Sequence, residues 1–128
     1  MSFKPSVAPV KVLVVPLQKD AKFAPLISQL EQRLDEDQIS YKVDQSGVSI
    51  GKRYSRNDEL GIPFGITIDF QSLEDNSFTL RDRDSTKQVR GGYEDITSAI
   101  VAMVKGKETW EGVRKRLPEF ASSEGKEE

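Results

Sequence analysis

Val12, Leu13, Val14 and Val15 form an unbroken apolar run that ends at Pro16. No polar alternation marks a wet face, so the run reads as a strand buried on both sides. Such a strand needs helices above and below it, which restricts the chain to a layered α/β arrangement. The next segment supplies one helix. Phe23, Leu26, Ile27, Leu30 and Leu34 recur at helical spacing, with charged and amide residues between them. Its start is open, because Asp20 suits a cap but would leave Pro25 beyond the first turn.

The remaining chain continues the alternation of strands and helices. Ile39, Tyr41 and Val43 alternate with polar residues, so a second strand is expected over about 40–44. Ser49 caps a helix from about Ile50 to Leu60, with Gly61 ending it and Pro63 preventing its continuation. Phe64, Ile66, Ile68 and Phe70 alternate with Gly65, Thr67 and Asp69, giving a strand with one core face and one polar face. A loop through Glu74, Asp75 and Asn76 leads to Phe78 and Leu80, which alternate with Thr79, Arg81 and Arg83. These two strands read as a hairpin whose polar faces form one surface. Gln88 and Arg90 fall on a short fifth strand. After Gly91 and Gly92, a helix carrying Ile96, Ile100, Met103 and Val104 runs to Gly106. A last helix from Thr109 docks through Trp110, Val113 and Leu117. The expectation is a three-layer α/β/α domain with a mixed, roughly five-stranded sheet. Residues 1–8 read as a flexible leader, 9–120 as the domain and 121–128 as a disordered tail.

Composition narrows the chemistry. The chain has 128 residues, the size of one ordinary domain, and contains neither cysteine nor histidine. That excludes a disulfide framework, a thiol nucleophile, a cysteine zinc site and the commonest general base. A carboxylate-only Mg²⁺ or Ca²⁺ site stays open. No segment approaches a membrane span or a signal-peptide core, so the chain reads as soluble and intracellular. The net charge of −2 is unlike that of a nonspecific nucleic-acid binder. Local potential decides specific binding, however, and basic residues cluster at Lys52, Arg53 and Arg56 and at Arg81, Arg83, Lys87 and Arg90.

No catalytic motif emerges. Gly47 to Arg53 imitates a phosphate loop, but three residues separate the glycines instead of four, and Arg53 replaces the required Ser or Thr. Gly47 reads instead as a turn, and Gly51 as part of a first helical turn. Asp58 with Glu59, and Asp82 with Asp84, are carboxylate pairs flanked by arginine, which favours the ionised form and suits structural pairing or recognition better than acid catalysis. On a strand, Arg81 and Arg83 share a face, either as a charged strand end or as a guanidinium pair offered to bases and phosphates. On the helix, Arg53 and Asn57 lie four apart, with Lys52, Arg56 and Glu59 on an adjoining face. Tyr54, Phe64, Phe78 and Trp110 fall at core positions, not at stacking positions.

The segments Ile50–Phe70 and Thr79–Arg90 resemble the C-terminal anticodon-binding domain of eukaryotic glycyl-tRNA synthetases, a class II family. The version is that shared by the glycine, histidine, proline and threonine enzymes. Thr109–Phe120 also fits the end of the eukaryotic glycine enzymes, and the resemblance covers about Pro9 to Phe120. It implies a domain of α/β topology that grips the anticodon loop of glycine tRNA. The whole enzyme would ligate glycine to tRNA with ATP and Mg²⁺, usually as a homodimer. The resemblance implies no cofactor in this chain, no DNA partner, and a missing catalytic domain without which the chain is inactive. It further implies a cytoplasmic enzyme, with mitochondria as a second compartment.

Glycine anticodons carry C at their second and third positions. Asp or Glu can accept from the cytosine amino group, while Arg or Gln can donate to its acceptors. With the resemblance, this places Asp69, Arg81 and Arg83 at the centre of a reading surface. Arg56, Glu59, Thr67, Gln88 and Arg90 would flank it, with Lys52, Arg53 and Lys87 on phosphates. Two other readings stay open: an accessory or protein-interaction module of the same fold without tRNA specificity, and a small carboxylate enzyme.

Overall fold

A computed structural model describes residues 9–18, 20–46 and 48–119. The expected leader, the turn at Gly47 and the tail from 121 lie outside the described residues. The elements are β1 (Val12–Pro16), a 3-10 turn (Ala21–Phe23), α1 (Ala24–Glu36), β2 (Tyr41–Val43), α2 (Ile50–Asp58), β3 (Phe64–Ile68), α3 (Phe70–Asp75), β4 (Ser77–Asp82), β5 (Gln88–Gly92), α4 (Tyr93–Val104) and α5 (Trp110–Arg116). They form a mixed five-stranded sheet in the order β2-β1-β3-β4-β5. β1 pairs in parallel with β2 and β3, while β4 is antiparallel to both β3 and β5.

The topology explains why β1 is apolar throughout. From β1 the chain steps outward to β2, then back past β1 to β3. Right-handed crossovers in opposite directions place α1 and α2 on opposite faces of the sheet. Val12 and Val14 accordingly enter a large core with Ile27, Leu30, Leu34, Ile66, Leu80, Val89, Ile96 and Ile100. Leu13 and Val15 enter a smaller core with Ile50, Tyr54 and Ile62 of the α2 side. The expected three-layer architecture is present.

Several boundaries follow from local chemistry. Asp20 caps the 3-10 turn by accepting from the Lys22 backbone N–H, and α1 then begins with Pro25 in its first turn. The conflict between Asp20 and Pro25 is resolved by two successive starts. Ser49 caps α2 as expected, and Gly61 takes φ 76° just beyond its end. The strand expected to reach Phe70 stops at Ile68, because Asp69 caps α3 in a reciprocal capping box with Ser72. Phe70 is therefore half-exposed and packs its ring beside Phe23 at 5.7 Å. The expected loop at 74–76 is the end of this short helix, closed by Asn76 at φ 57°. In α5, Val113 is fully buried, with Trp110 and Leu117 packed partly buried against the core.

Candidate nucleic-acid interface

The two faces of the β3–β4–β5 half of the sheet differ in chemistry. Phe78, Leu80 and Val89 point into the large core, so Ser77, Thr79, Arg81, Gln88 and Arg90 point to the α2 side. The register aligns them in rows, Thr67–Thr79–Arg90 and Gly65–Arg81–Gln88. The expected common polar surface of β3 and β4 is only partly formed. Thr67 is buried, its hydroxyl 2.8 Å from that of Tyr54, and Gly65 lies under the Tyr54 ring. α2 thus covers the polar positions of β3.

At one end of this half-sheet, Arg90 and Asp69 make a bidentate pair at 2.7 and 2.9 Å. Arg90 also donates to Thr79 Oγ1 and, through Nε and Nη2, to Ser77 Oγ. All five guanidinium N–H groups are thereby engaged. Arg90 is buried beneath this network. On Asp69, Oδ1 accepts from the Ser72 amide, the Ser72 hydroxyl and Arg90, whereas Oδ2 accepts from Arg90 alone among the described residues. Burial pushes the Asp69 carboxyl up, but the Arg90 and Ser72 hydrogen bonds and the Arg90 charge outweigh it and hold the pKa below the ordinary value. Asp69 is an ionised acceptor with one oxygen of spare capacity.

At the other end, Arg81 is also buried, its Nη1 and Nη2 donating to the two oxygens of Asp58 at 3.1 and 3.2 Å. Its guanidinium lies 4.4 Å from the Tyr54 ring centroid, within cation–π reach. Arg83 sits past the end of β4 and donates to the Asp58 backbone oxygen at 2.9 Å and to Asp84 at 2.7 Å. Asp82 shows the opposite electrostatics to Asp69. Burial raises its pKa, with Asp84 adding to the rise and the Ser85 hydrogen bonds and Arg81 opposing it. The rotamers of the two arginines are thus held by acids, but only Arg83 keeps an accessible edge.

The basic residues of α2 divide similarly. Arg53, expected on phosphates, is 1% exposed and donates to the backbone oxygens of Pro16, Leu17 and Asp44. It ties α2 to the ends of β1 and β2 and has no surface on which to meet a phosphate. Arg56 is half-exposed and binds both oxygens of Asp44 and the Ser46 hydroxyl. Lys52 on α2, Glu59 just past its end and Lys87 in the β4–β5 turn are exposed. Gln88 is buried beside Arg81.

The structure therefore brings Thr67, Asp69, Arg81, Arg83, Gln88 and Arg90 to one half-sheet, with Arg53 and Arg56 turned toward the β1–β2 end. Asp58, Tyr54, Ser77 and Thr79 complete the site, and none was singled out as a site residue by sequence reasoning. Asp58 and Arg81 are 23 residues apart, a separation that no periodicity links. The Asp69 to Ser72 spacing of a capping box was the one local signal available for α3.

The family profile described as "Anticodon binding domain" matches residues 11–103. The chain belongs to the anticodon-binding-domain family. This anticodon-binding domain is 48% identical over 124 residues to a "Putative glycine--tRNA ligase" of Schizosaccharomyces pombe, covering 97% of the chain and 19% of that protein. It is 50% identical over 129 residues to "Glycine--tRNA ligase 1, mitochondrial" of Saccharomyces cerevisiae, covering 100% of the chain and 19% of that protein. The domain thus spans about a fifth of the length of these relatives. Among solved structures, prolyl-tRNA synthetase from Cryptosporidium parvum superposes with a TM-score of 0.75 at 19% identity, covering 84% of this chain and 23% of that one, which establishes the shared fold.

Proposed function

We propose that this domain binds the anticodon loop of glycine tRNA at the outer ends of β4 and β5, as part of a glycine–tRNA ligase. The observation that carries the reading is the near-half identity to glycine–tRNA ligases along almost the whole chain. The geometry supports it by presenting a fixed acceptor and a fixed donor at opposite ends of one half-sheet. Oδ2 of Asp69 accepts from a cytosine amino group, and Arg83 donates to the acceptors of an unpaired base. Arg56, Lys52, Glu59 and Lys87 form the accessible rim, where the cations attract phosphates. Arg81 and Arg90 lie underneath and hold the readers in place, Thr67 and Gln88 are buried beside them, and Arg53 is enclosed at the β1–β2 end.

In this reading the whole enzyme joins glycine to its tRNA with ATP and Mg²⁺. ATP and Mg²⁺ belong, in this reading, to the catalytic part of a longer ligase, since the chain spans only about a fifth of the glycine–tRNA ligases it matches. That part carries the homodimer interface, and the enzyme serves the cytoplasm, the mitochondria or both. The chain alone should show no glycine-dependent pyrophosphate release from ATP.

The test is a titration of the chain with anticodon stem-loops at one moderate salt concentration. One loop carries the glycine anticodon, and others have either C replaced by U or G. Selective weakening by the replacements, roughly 1–3 kcal/mol per lost base contact, is expected. Equal binding to all loops would leave a phosphate clamp and sink the base-reading assignment, and no binding would sink the assignment of this chain to the loop.

A further inference from the structure

Arg83 lies one residue past the last ladder position of β4, so strand pairing does not hold its side chain. Its guanidinium is held by Asp84 at 2.7 Å and by Asp58, the last residue of α2, whose backbone oxygen accepts from Arg83 Nε at 2.9 Å and from the Gly61 amide at 3.0 Å. A carboxylate at a helix C-terminus faces the negative end of the helix dipole and is unfavourable there unless a cation offsets it. Arg81 is that cation, forked across both carboxylate oxygens and itself only 5% exposed along the side chain. Beneath it, the Tyr54 ring rests on Gly65, where an added Cβ would come within 2.2 Å of a ring carbon. The end of α2, the start of β3 and the end of β4 are thereby locked around one carboxylate.

The geometry points to Asp58 and Arg81 as positioning residues for base recognition by Arg83, and not as contacts to RNA. The Asp58–Arg81 fork fixes the Asp58 carbonyl relative to β4, and that carbonyl orients the Nε edge of the Arg83 guanidinium, whose Nη1 is paired with Asp84. Of the two arginines, the buried one is committed to Asp58, and the one with 16% side-chain exposure faces outward. This rests on the reading of the half-sheet as an anticodon site.

The test uses the 128-residue chain with Asp58→Asn, Arg81→Lys and Arg83→Ala. Each variant is titrated with the glycine anticodon stem-loop and with a loop carrying U for C, at two salt concentrations. The ratio of the two dissociation constants should fall at least about fivefold in every variant, the equivalent of one lost base contact. Asp58→Asn should leave the salt dependence at the wild-type slope, because it removes no phosphate contact. Adding Asp58→Asn to Arg83→Ala should lower the ratio no further, since both act through one guanidinium. A wild-type ratio in Asp58→Asn or Arg81→Lys, or a further loss in the double variant, overturns the proposal. Should Asp58→Asn unfold the chain, Arg81→Lys decides. It keeps the charge and loses only the planar fork, so a wild-type ratio overturns the positioning role and a reduced ratio supports it. Equal binding of both loops by the wild-type chain would overturn the anticodon reading and this inference with it. A discriminating wild type with unaffected variants would overturn the inference alone.

Discussion

On one face of the sheet, Val12, Val14, Ile66, Leu80 and Val89 meet α1 and α4 through hydrocarbon alone. On the opposite face, over β4 and β5, the equivalent positions are Ser77, Thr79, Arg81 and Arg90, also buried but held by hydrogen bonds and ion pairs, with Gln88 buried beside Arg81. The first face gains stability from apolar area removed from water, which is nondirectional and tolerant of exchange. The second gains position. Each arginine there has a defined carboxylate partner and a defined orientation, which an apolar core could not give to a donor or acceptor. Buried ion pairs are weak evidence for stability in themselves, because desolvation offsets much of their attraction. Their value here lies in holding Asp69 and Arg83 still.

Removing one member of a buried pair should therefore cost as much as opening a cavity in the apolar face. Arg90→Ala strands Asp69 and both hydroxyl partners, with an expected loss of about 3–5 kcal/mol. Leu80→Ala, on the neighbouring strand and the opposite face, is expected to lose about 2–5 kcal/mol. Urea unfolding measures both. The comparison sharpens when the surviving folded fraction is titrated with RNA, since only Arg90→Ala should also weaken discrimination between anticodon loops. Loss of discrimination in Leu80→Ala would mean that the two faces are not separable.

Gly65→Ala probes the seam between the faces. The new methyl would meet the Tyr54 ring at 2.2 Å, and that ring cannot swing aside without leaving Thr67 and Arg81. Overpacking of this kind is expected to cost about 1–3 kcal/mol. Tyr54→Ala in the same chain should make the added methyl nearly harmless, a rescue that would fail if Gly65 were required for another reason.

The apolar face was legible in the sequence because burial on a strand or helix leaves a period. Val12–Val15, the spacing of α1 and the alternation of Phe64, Ile66 and Ile68 all mark it. The charged face was legible only as a collection of residue types. Arg53 and Arg56 look alike in sequence, yet one is fully enclosed by backbone carbonyls and the other is half-exposed and paired with Asp44. Arg81 and Arg83 share strand parity, but the ladder ends between them and only one is sealed by Asp58. Which arginine is buried depends on partners up to 37 residues away, and that information is tertiary.

The pH dependence of the α2 side of the sheet, at its β1–β2 end, offers a test without RNA. Asp44 is buried, which alone would raise its pKa, but hydrogen bonds from Ser46, Arg56 and Asn57 prevail and hold it at about 2. A carboxylate depressed in the folded state stabilises the fold at pH values above its unfolded pKa of about 3.9. That contribution, on the order of 2 kcal/mol, is lost as pH falls through 3.9 toward about 2. Asp44→Asn should therefore be less stable near neutrality and show a shallower decline below about pH 4. An unchanged acid limb would remove Asp44 from the group of carboxylates that hold this face together.

The smallest effect on stability, and the clearest separation of roles, is expected at the rim. Arg56 keeps about half its side chain in solvent, so its pair with Asp44 should contribute no more than about 1 kcal/mol. Arg56→Ala should leave unfolding almost unchanged. It should weaken cognate and substituted stem-loops by the same factor and lower the salt slope by roughly one unit, the signature of a lost phosphate contact. Asp69→Asn should change the preference between loops and leave the salt slope as it is, since it alters the proposed base acceptor without removing a cation. If Arg56→Ala instead changed the preference between loops, the rim would itself read sequence, and the division of the charged face into buried supports, positioned readers and a phosphate-attracting edge would have to be redrawn around α2.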